Sequence, residues 1–307
     1  MNKIQADVLV IGGGSAGMGA FRAARKATDN VYIAEDYKFG TTCARVGCMP
    51  SKLLIAAAEA AHHSKHTVQF GVHIDCDVRV DGKEVMDRVR SERDRFVCFV
   101  VEDVEAWPAG KRLLGRAKFK DAHTVIVTNQ EGEQTQVTAK RIVIATGSRP
   151  IILPEWQALG ERLIINDDVF SWETLPKSVA VFGSGVIGLE LGQALARLGV
   201  KVHVFGRGNS IGGISDPTIS DQALEIFQQE LDMHLDAKTS VSLNAAGNVE
   251  IAYEQNGKKG VFEAEYLLAA IGRKPNTDNI GLENLAELKL DKRGVPWPWG
   301  WWMARKT

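Results

Sequence analysis

The chain has 307 residues, of which 45% are hydrophobic and 24% are charged, and its formal net charge is −1. A nearly neutral chain gives no electrostatic basis for binding nucleic acid or an anionic membrane. No stretch reaches the roughly 18 uninterrupted apolar residues of a membrane-spanning helix, and no signal-peptide pattern precedes the first apolar strand. Four cysteines are too few for a secreted disulfide scaffold. We therefore expect a cytoplasmic protein of two domains, with neither nucleic acid nor membrane as a partner.

The first motif is a glycine-rich turn after a buried apolar strand at 6–11. It reads Gly-Gly-Gly-Ser-Ala-Gly from Gly12 and gives the spacing G-x-G-x-x-G. In a dinucleotide fingerprint Gly12 permits the tight turn, Gly14 lets the backbone approach a pyrophosphate, and Gly17 lets helix and strand pack closely. Ser15 opens the helix, and Glu35 ends the second strand, where its carboxylate can accept hydrogen bonds from ribose hydroxyls. The order of these elements predicts a dinucleotide site.

The same arrangement recurs at 178–205, with Gly183, Gly185 and Gly188 in the turn. The acid at the end of the second strand is missing, and Gly206 and Arg207 stand there instead. Nothing at this point repels a 2′-phosphate, and the guanidinium could receive it. Arg207 could equally be a solvated loop residue. Both interpretations stay open, with tolerance of NADP(H) as our expectation.

Two cysteines, Cys43 and Cys48, lie five residues apart before an alanine-rich helix at 53–61. Pro50 is tolerated in the first turn of such a helix. Backbone N–H groups and the helix dipole at this end favour a thiolate, so the spacing indicates a redox-active pair. The alternative is two unrelated buried cysteines that fill the core.

The remaining segments predict an amphipathic helix at 81–105, whose arginines form a solvated face, and antiparallel strands within 112–137. A helix at 219–231 and a hairpin around 255–260 follow. His62, His63 and His66 lie near a helix end, where interaction with the helix C-terminus explains them. A His62–His66 pair could instead hold a metal ion, but we expect no metal site.

Together these motifs resemble the class I pyridine nucleotide-disulfide oxidoreductases, a family that includes dihydrolipoamide dehydrogenase, glutathione reductase and mercuric reductase. The resemblance extends from about residue 7 to 294 and includes segments 144–150 and 271–276. It implies an α/β fold of two Rossmann-like, doubly wound, three-layer domains, with the nicotinamide domain inserted in the FAD domain. The implied domains are an FAD-binding domain at 1–150, an NAD(P)-binding domain at 151–270 and an incomplete return into the FAD domain at 271–296.

The resemblance implies FAD and either NAD or NADP as cofactors. Cys43 would be the interchange thiol attacked by substrate, and Cys48 the charge-transfer thiol against the flavin. Lys52 and Glu190 match positions that form an ion pair beside the flavin, where a lysine stabilises the anionic reduced form. Val186 stands where glutathione reductases carry an aromatic residue, which favours the lipoamide type. Further cofactor-binding positions would be Thr42, Ala145, Thr146, Gly147 and Gly272.

The implied activity is electron transfer between a small dithiol or disulfide, including protein-bound lipoamide, and NAD(P). The alternatives are an NADPH-dependent disulfide or metal-ion reductase and a catalytically inactive nucleotide-binding remnant. The full-length form would be a homodimer. Residues 297–307 hold four of the seven tryptophans and do not fit the family. We expect a truncated or frame-shifted end there, because family members continue into an interface domain.

Overall fold

The computed structural model describes residues 1–76, 78–208, 211–285 and 288–297. The chain forms two compact units. The first unit comprises Met1–Ala44, Phe96–Arg149 and the chain from Arg273 onward, and the second comprises Arg45–Arg95 and Pro150–Gly272. The predicted domains, which are defined by cofactor, stay a prediction. The observed units differ from them by grouping 45–95 with the second unit.

The α-helices are α1 (Ser15–Arg25), α2 (Thr42–Val46), α3 (Cys48–Lys65), α4 (Gly82–Glu105), α5 (Asn166–Val169), α6 (Val186–Arg197) and α7 (Pro217–Gln228). The strands are β1 (Asn2–Ile11), β2 (Val31–Glu35), β3 (Arg112–Leu114), β4 (Arg116–Phe119), β5 (Thr124–Thr128), β6 (Gln134–Ile144), β7 (Ser148–Pro150), β8 (Leu163–Ile164), β9 (Ser178–Phe182), β10 (Lys201–Gly206), β11 (Asp232–Leu235), β12 (Lys238–Leu243), β13 (Val249–Gln255), β14 (Lys258–Ala264), β15 (Tyr266–Ala269), β16 (Arg273–Pro275), β17 (Lys289–Leu290) and β18 (Pro296–Trp297). Short 3₁₀ turns lie at Thr67–Phe70, Ala109–Lys111, Pro154–Arg162 and Leu282–Asn284.

The first unit contains a six-stranded sheet in the order β3-β2-β1-β6-β5-β4. The pairs from β3 to β6 are parallel, whereas β5 and β4 are antiparallel additions. The expected antiparallel strands are therefore present from residue 116, but the expectation was wrong for 112–114, which pair in parallel with β2. Residues 112–114 add a parallel strand beside β2 at the edge of the sheet, because the chain returns from α4 to that edge.

Successive residues of β1 face opposite sides of this sheet, as the two-residue period of a strand requires. Val10 packs with Met18 and Phe21 of α1 on one face. Leu9 and Ile11 pack on the other, in a cluster that includes Phe119 and residues 280–282. Both faces of the central strand are thus covered, which explains its uninterrupted apolar sequence.

The second unit contains a five-stranded, fully parallel sheet in the order β11-β10-β9-β15-β8. Helices cover one face, and the antiparallel sheet β12-β13-β14 covers the other. The predicted hairpin is formed by β13 and β14. The predicted α/β class with two Rossmann-like, three-layer domains is confirmed, and the second is inserted in the first.

Helix α3 belongs to the second unit because of what its apolar side packs against. Leu54 and Ala58 are fully buried in one cluster with Leu191 and Leu195 of α6. Met86 of α4 joins the same cluster with no exposed surface. These contacts join residues more than 100 positions apart in sequence, so periodicity alone cannot reveal them.

The expectation of a fully solvated arginine face on α4 is corrected at two residues. Arg93 donates to the carbonyl oxygen of Phe170 at 2.7 Å, and its side chain is only 15% exposed. Arg90 donates to the carbonyl oxygen of Trp172. Both guanidinium groups therefore satisfy main-chain acceptors within the second unit.

Helix α7 starts two residues earlier than predicted, because the Asp216 side chain caps it by accepting from the N–H of Ile219 at 3.0 Å and Pro217 occupies the first turn. Within the described part of the chain, no helix is long and apolar enough to cross a membrane. The anomalous end lies outside the described residues from position 298 onward.

Candidate functional site

The first fingerprint turn joins β1 to α1, and two of its glycines are required by the fold. A Cβ atom on Gly12, whose φ is +106°, would lie 2.3 Å from the carbonyl oxygen of Ala145. A Cβ atom on Gly17 would lie 1.8 Å from the carbonyl oxygen of Gly12. Only glycine fits at these two positions, as the fingerprint predicts.

Gly14 differs, because the fold does not require it. Its φ of −78° suits any residue. A Cβ atom there would meet nothing within 4 Å. Gly14 and the exposed Ser15 stand at the N-terminus of α1, where backbone N–H groups attract an anion. The space above Gly14 is therefore free for a ligand.

Glu35 stands at the end of β2, beside this turn. Its Oε2 accepts from the N–H of Gly13 at 2.5 Å, and its Oε1 accepts from the N–H of Tyr37 at 3.3 Å. The two hydrogen bonds fix the carboxylate at the carboxyl edge of the sheet, where ligands of open α/β sheets bind.

The segment Ala145–Gly147 follows β6 at the same edge. Ala145 donates to the carbonyl oxygen of Ile11 at 2.8 Å. Asn276 donates from its side chain to the carbonyl of Thr146 and from its backbone to that of Gly147, both at 3.0 Å. Sequence reasoning did not include Asn276 among the site residues, although this asparagine holds the segment in place.

The second fingerprint turn, between β9 and α6, repeats this geometry. A Cβ atom on Gly183 would lie 2.2 Å from the carbonyl oxygen of Ala270, and one on Gly188 would lie 2.0 Å from the carbonyl oxygen of Gly183. Gly185 has a φ of −79°, and a Cβ atom there would meet nothing within 4 Å. The second turn thus leaves the same open space at a helix N-terminus.

The strand that follows, β10, ends in Gly206, as the sequence indicated, with the exposed Arg207 next. Gly208 donates its N–H to Oδ1 of Asp236 at 3.2 Å. Asp236 follows the neighbouring strand β11. The sequence analysis did not identify it as a site residue, because only the parallel pairing of β10 with β11 brings it to this turn.

The cysteines occupy two consecutive helices. Cys43 lies in α2 and is half-buried, whereas Cys48 is the exposed first residue of α3. Thr42 is the exposed first residue of α2. Pro50 lies in the first turn of α3, as predicted.

Lys52 follows Cys48 by one helical turn, so the two share a face of α3. Its Nζ lies 2.8 Å from Oε1 of Glu190 on α6. The predicted ion pair is therefore present, with side chains 64% and 38% exposed. Its place beside a flavin stays a prediction, as does the role of Gly272, whose φ of +131° suits only glycine.

The histidines at the end of α3 face their own helix and an ion pair. His66 makes a 2.7 Å hydrogen bond through Nδ1 with the carbonyl oxygen of His62. His62 lies 3.8 Å from Oε2 of Glu230, and its pKa is lowered, first by burial and next by Arg197. The described residues contain no cluster of three or more histidine, cysteine or acidic side chains suited to a metal ion.

Each unit thus has a glycine turn that leaves open space at a helix N-terminus, which is typical of α/β proteins that bind nucleotides. The pyridine nucleotide-disulphide oxidoreductase family matches residues 6–296, and the chain belongs to this family.

Dihydrolipoyl dehydrogenase from Geobacillus stearothermophilus is 33% identical over 296 residues, which cover 95% of this chain and 61% of that protein. A dihydrolipoyl dehydrogenase from Bacillus subtilis (strain 168) is 30% identical over 297 residues, covering 95% of this chain and 62% of the relative. The chain thus spans about three fifths of the length of the curated relatives it matches.

Among solved structures, the Cu(II) complex of the HOCl-induced flavoprotein disulfide reductase RclA from Escherichia coli superimposes with a TM-score of 0.76 at 22% identity. The match covers 96% of this chain and 62% of that one. This likeness concerns the fold, and it agrees with the two Rossmann-like units.

Proposed function

We propose that the protein is an FAD-dependent disulfide oxidoreductase of the dihydrolipoyl dehydrogenase type. It passes electrons between a small dithiol or disulfide, such as protein-bound lipoamide, and NAD(P). Family membership and the 30–33% identity to dihydrolipoyl dehydrogenases support this proposal. A homodimeric full-length form belongs to the same proposal and rests on the resemblance alone, and a cytoplasmic location is proposed with it.

Gly14 and Gly185 carry the argument. The fold forces glycine at Gly12, Gly17, Gly183 and Gly188, but it leaves room for a side chain at Gly14 and Gly185. A ligand that approaches the backbone closely explains glycine there, and a pyrophosphate at a helix N-terminus is such a ligand. Both units show this arrangement, which fits one dinucleotide each.

In the first unit, Gly14 and Ser15 would hold the FAD pyrophosphate, and Glu35 would accept from the ribose. Thr42 and Gly147 are further proposed contacts within this unit. When bound, FAD supplies two-electron transfer between a dithiol and a nicotinamide. In the second unit, Gly185 would receive the NAD(P) pyrophosphate.

The sulfur chemistry would use the oxidised pair. A substrate thiolate attacks Sγ of Cys43, the Cys43–Cys48 bond breaks, and its electron pair leaves with Cys48 as a thiolate. The second substrate thiol then displaces Cys43, which leaves as a thiolate that takes up a proton, and the substrate departs as a disulfide. The N-terminus of α3 stabilises the charge on Cys48. Lys52, held by Glu190, adds a positive charge on the same face of the helix.

The test is a titration of the purified chain with FAD, followed by protein and flavin fluorescence. Gly14→Ala should lose most of the FAD affinity while its thermal unfolding midpoint stays within a few degrees of the unmodified chain, because the added Cβ atom meets no protein atom within 4 Å. Gly19→Ala is the matched control, since a Cβ atom there also meets nothing and the residue lies on the helix beyond the turn. Equal FAD binding by all three proteins would contradict the proposal.

A further inference from the structure

In the first unit, one carboxylate joins two parts of the nucleotide site. Glu35 accepts from the N–H of Gly13 in the fingerprint turn and from the N–H of Tyr37, two residues further along the chain. A Cβ atom on Gly13 would lie 2.7 Å from Cδ1 of Phe39 and 3.0 Å from Oε2 of Glu35, so glycine at this position leaves room for both side chains. The carboxylate is thereby fixed at the edge where a ribose would lie.

The corresponding positions in the second unit are Ser184 in the turn, Gly206 at the strand end and Gly208 two residues later. The first unit has glycine in the turn and glutamate at the strand end, whereas the second has serine in the turn and glycine at the strand end. A Cβ atom on Gly206 would lie 2.7 Å from Oγ of Ser184 and 2.6 Å from Cδ2 of Leu235. Ser184 is itself buried. An acid at position 206 would therefore have to displace the side chains of Ser184 and Leu235.

A carboxylate nevertheless reaches this site from the adjacent strand. Oδ1 of Asp236 accepts from the N–H of Gly208 at 3.2 Å, which is the counterpart of the hydrogen bond from Tyr37 to Glu35. The N–H of Asp236 donates to the carbonyl oxygen of Gly206 at 2.8 Å. Two hydrogen bonds thus hold Asp236 against the turn that carries Arg207.

The backbone of Asp236 is strained in a way that this placement explains. Its φ is +59°, and among the described residues only Asn256 is another non-glycine residue with a positive φ. Such a conformation is disfavoured for residues other than glycine and collects at binding sites. The side chain is exposed, so an incoming ligand can reach it.

We propose that Asp236 is the ribose-binding carboxylate of the second nucleotide site, delivered from β11 in place of the acid missing at the end of β10. The inference rests on the proposed binding of NAD(P) to this unit. Asp236 accepts from a free ribose hydroxyl and repels a 2′-phosphate. The site is therefore selective for NAD(H), and Arg207 opposes this selectivity without reversing it.

The experiment compares the binding of NAD⁺ and NADP⁺ to the FAD-saturated chain by calorimetry, which needs no turnover. The unmodified chain should prefer NAD⁺. Asp236→Asn keeps an oxygen that can accept from Gly208 but removes the charge, so the affinity for NADP⁺ relative to NAD⁺ should rise about tenfold. Glu254→Gln is the matched control, because Glu254 is an exposed acid of the same charge in β13 and belongs neither to the fingerprint turn nor to the strand end at Gly206. Its ratio should stay unchanged.

A second variant separates charge from positioning. Asp236→Ala also removes the acceptor for Gly208, so it should weaken both dinucleotides, whereas Asp236→Asn should retain NAD⁺ binding. If NAD⁺ binds but Asp236→Asn leaves the ratio unchanged, or if Glu254→Gln changes it equally, the assignment of Asp236 is wrong and the proposed function stands. If the unmodified chain binds neither dinucleotide, both fail.

Discussion

Glycine at position 206 makes room for the side chain of Ser184, and Gly13 in the first unit makes room for those of Glu35 and Phe39. Each unit therefore predicts how the other responds to a substitution at the corresponding position. The sequence shows that the acid is missing at Gly206. The structure adds a physical reason, because a Cβ atom there would press on Ser184 and Leu235.

Gly206→Glu should consequently destabilise the second unit by about 1–3 kcal/mol, which is the usual range for overpacking a filled site. Adding Ser184→Gly should recover part of this loss, since the first unit combines glycine and glutamate at the corresponding positions. Urea unfolding of the two single variants and the double variant measures the coupling. Purely additive effects would show that the two positions do not share space.

Arg207 is exposed at the end of β10, where the sequence suggested a contact with a 2′-phosphate. Arg207→Ala should weaken NADP⁺ by about 1 kcal/mol and leave NAD⁺ nearly unchanged, as expected for an exposed charge contact. Titration of the FAD-saturated chain with both dinucleotides measures the difference. Lys201→Ala, a charge removed from the opposite end of the same strand, is the control. Equal losses for both dinucleotides would assign Arg207 a general role rather than a selective one.

At the scale of elements, α3 links the cysteine chemistry to the second unit's core. Its exposed face carries Cys48 and Lys52, while Leu54 is fully buried against α6. The position of Cys48 and the packing of α3 therefore depend on the same apolar contact.

Leu54→Ala should lower the free energy of unfolding by about 2–5 kcal/mol, the range for truncating a fully buried leucine. Ile219→Ala on α7 offers a control, because Ile219 is 58% exposed and its truncation should cost little. Circular dichroism with urea denaturation measures both, and the rate of thiol labelling at Cys48 reports on the helix end. Equal stabilities of the two variants would mean that α3 is not held by this core.

Local sequence patterns predicted those features of each element that depend on residues close together in the sequence. Gly17, Gly188 and Pro50 in the first turn of α3 depend on neighbours within a few residues, and each was found where expected. The grouping of 45–95 with the second unit depends on contacts between distant segments. Asp236 was missed for the same reason, since only the pairing of Gly206 with Leu235 in the parallel sheet brings it to the turn.

At the scale of the molecule, two half-buried histidines, His203 and His234, couple stability to pH. Burial lowers the pKa of His203 from 6.5 to about 4, and the pKa of His234 is also lowered by burial. His203 Nδ1 lies 2.9 Å from Nε2 of His234, and its Nε2 lies 3.4 Å from Asp232, which opposes the shift. Lys201 adds a further lowering effect.

Because the folded pKa lies below the unfolded value, the unfolded state binds more protons between pH 6.5 and about 4. Stability is therefore full above this window and falls as the pH drops through it, by at most about 1.4 kcal/mol per pH unit for one group. His203→Phe should flatten the decline between pH 6.5 and 4.5, measured by urea unfolding. The exposed His73 supplies the control variant His73→Phe, which should keep the original slope. A slope unaffected by His203→Phe would place the pH dependence elsewhere.

The division of the chain into interleaved segments has a consequence for synthesis on the ribosome. Every segment of the second unit has been made once Gly272 has been added. The first unit waits longer, because Phe119 donates its N–H to the carbonyl oxygen of Ile280, and Leu282 completes the cluster around Phe119. Domains generally fold as units once their residues emerge. The first unit is thus the first to begin synthesis and the last to be completed. Its sheet can reach its final packing only after the second unit has been synthesised.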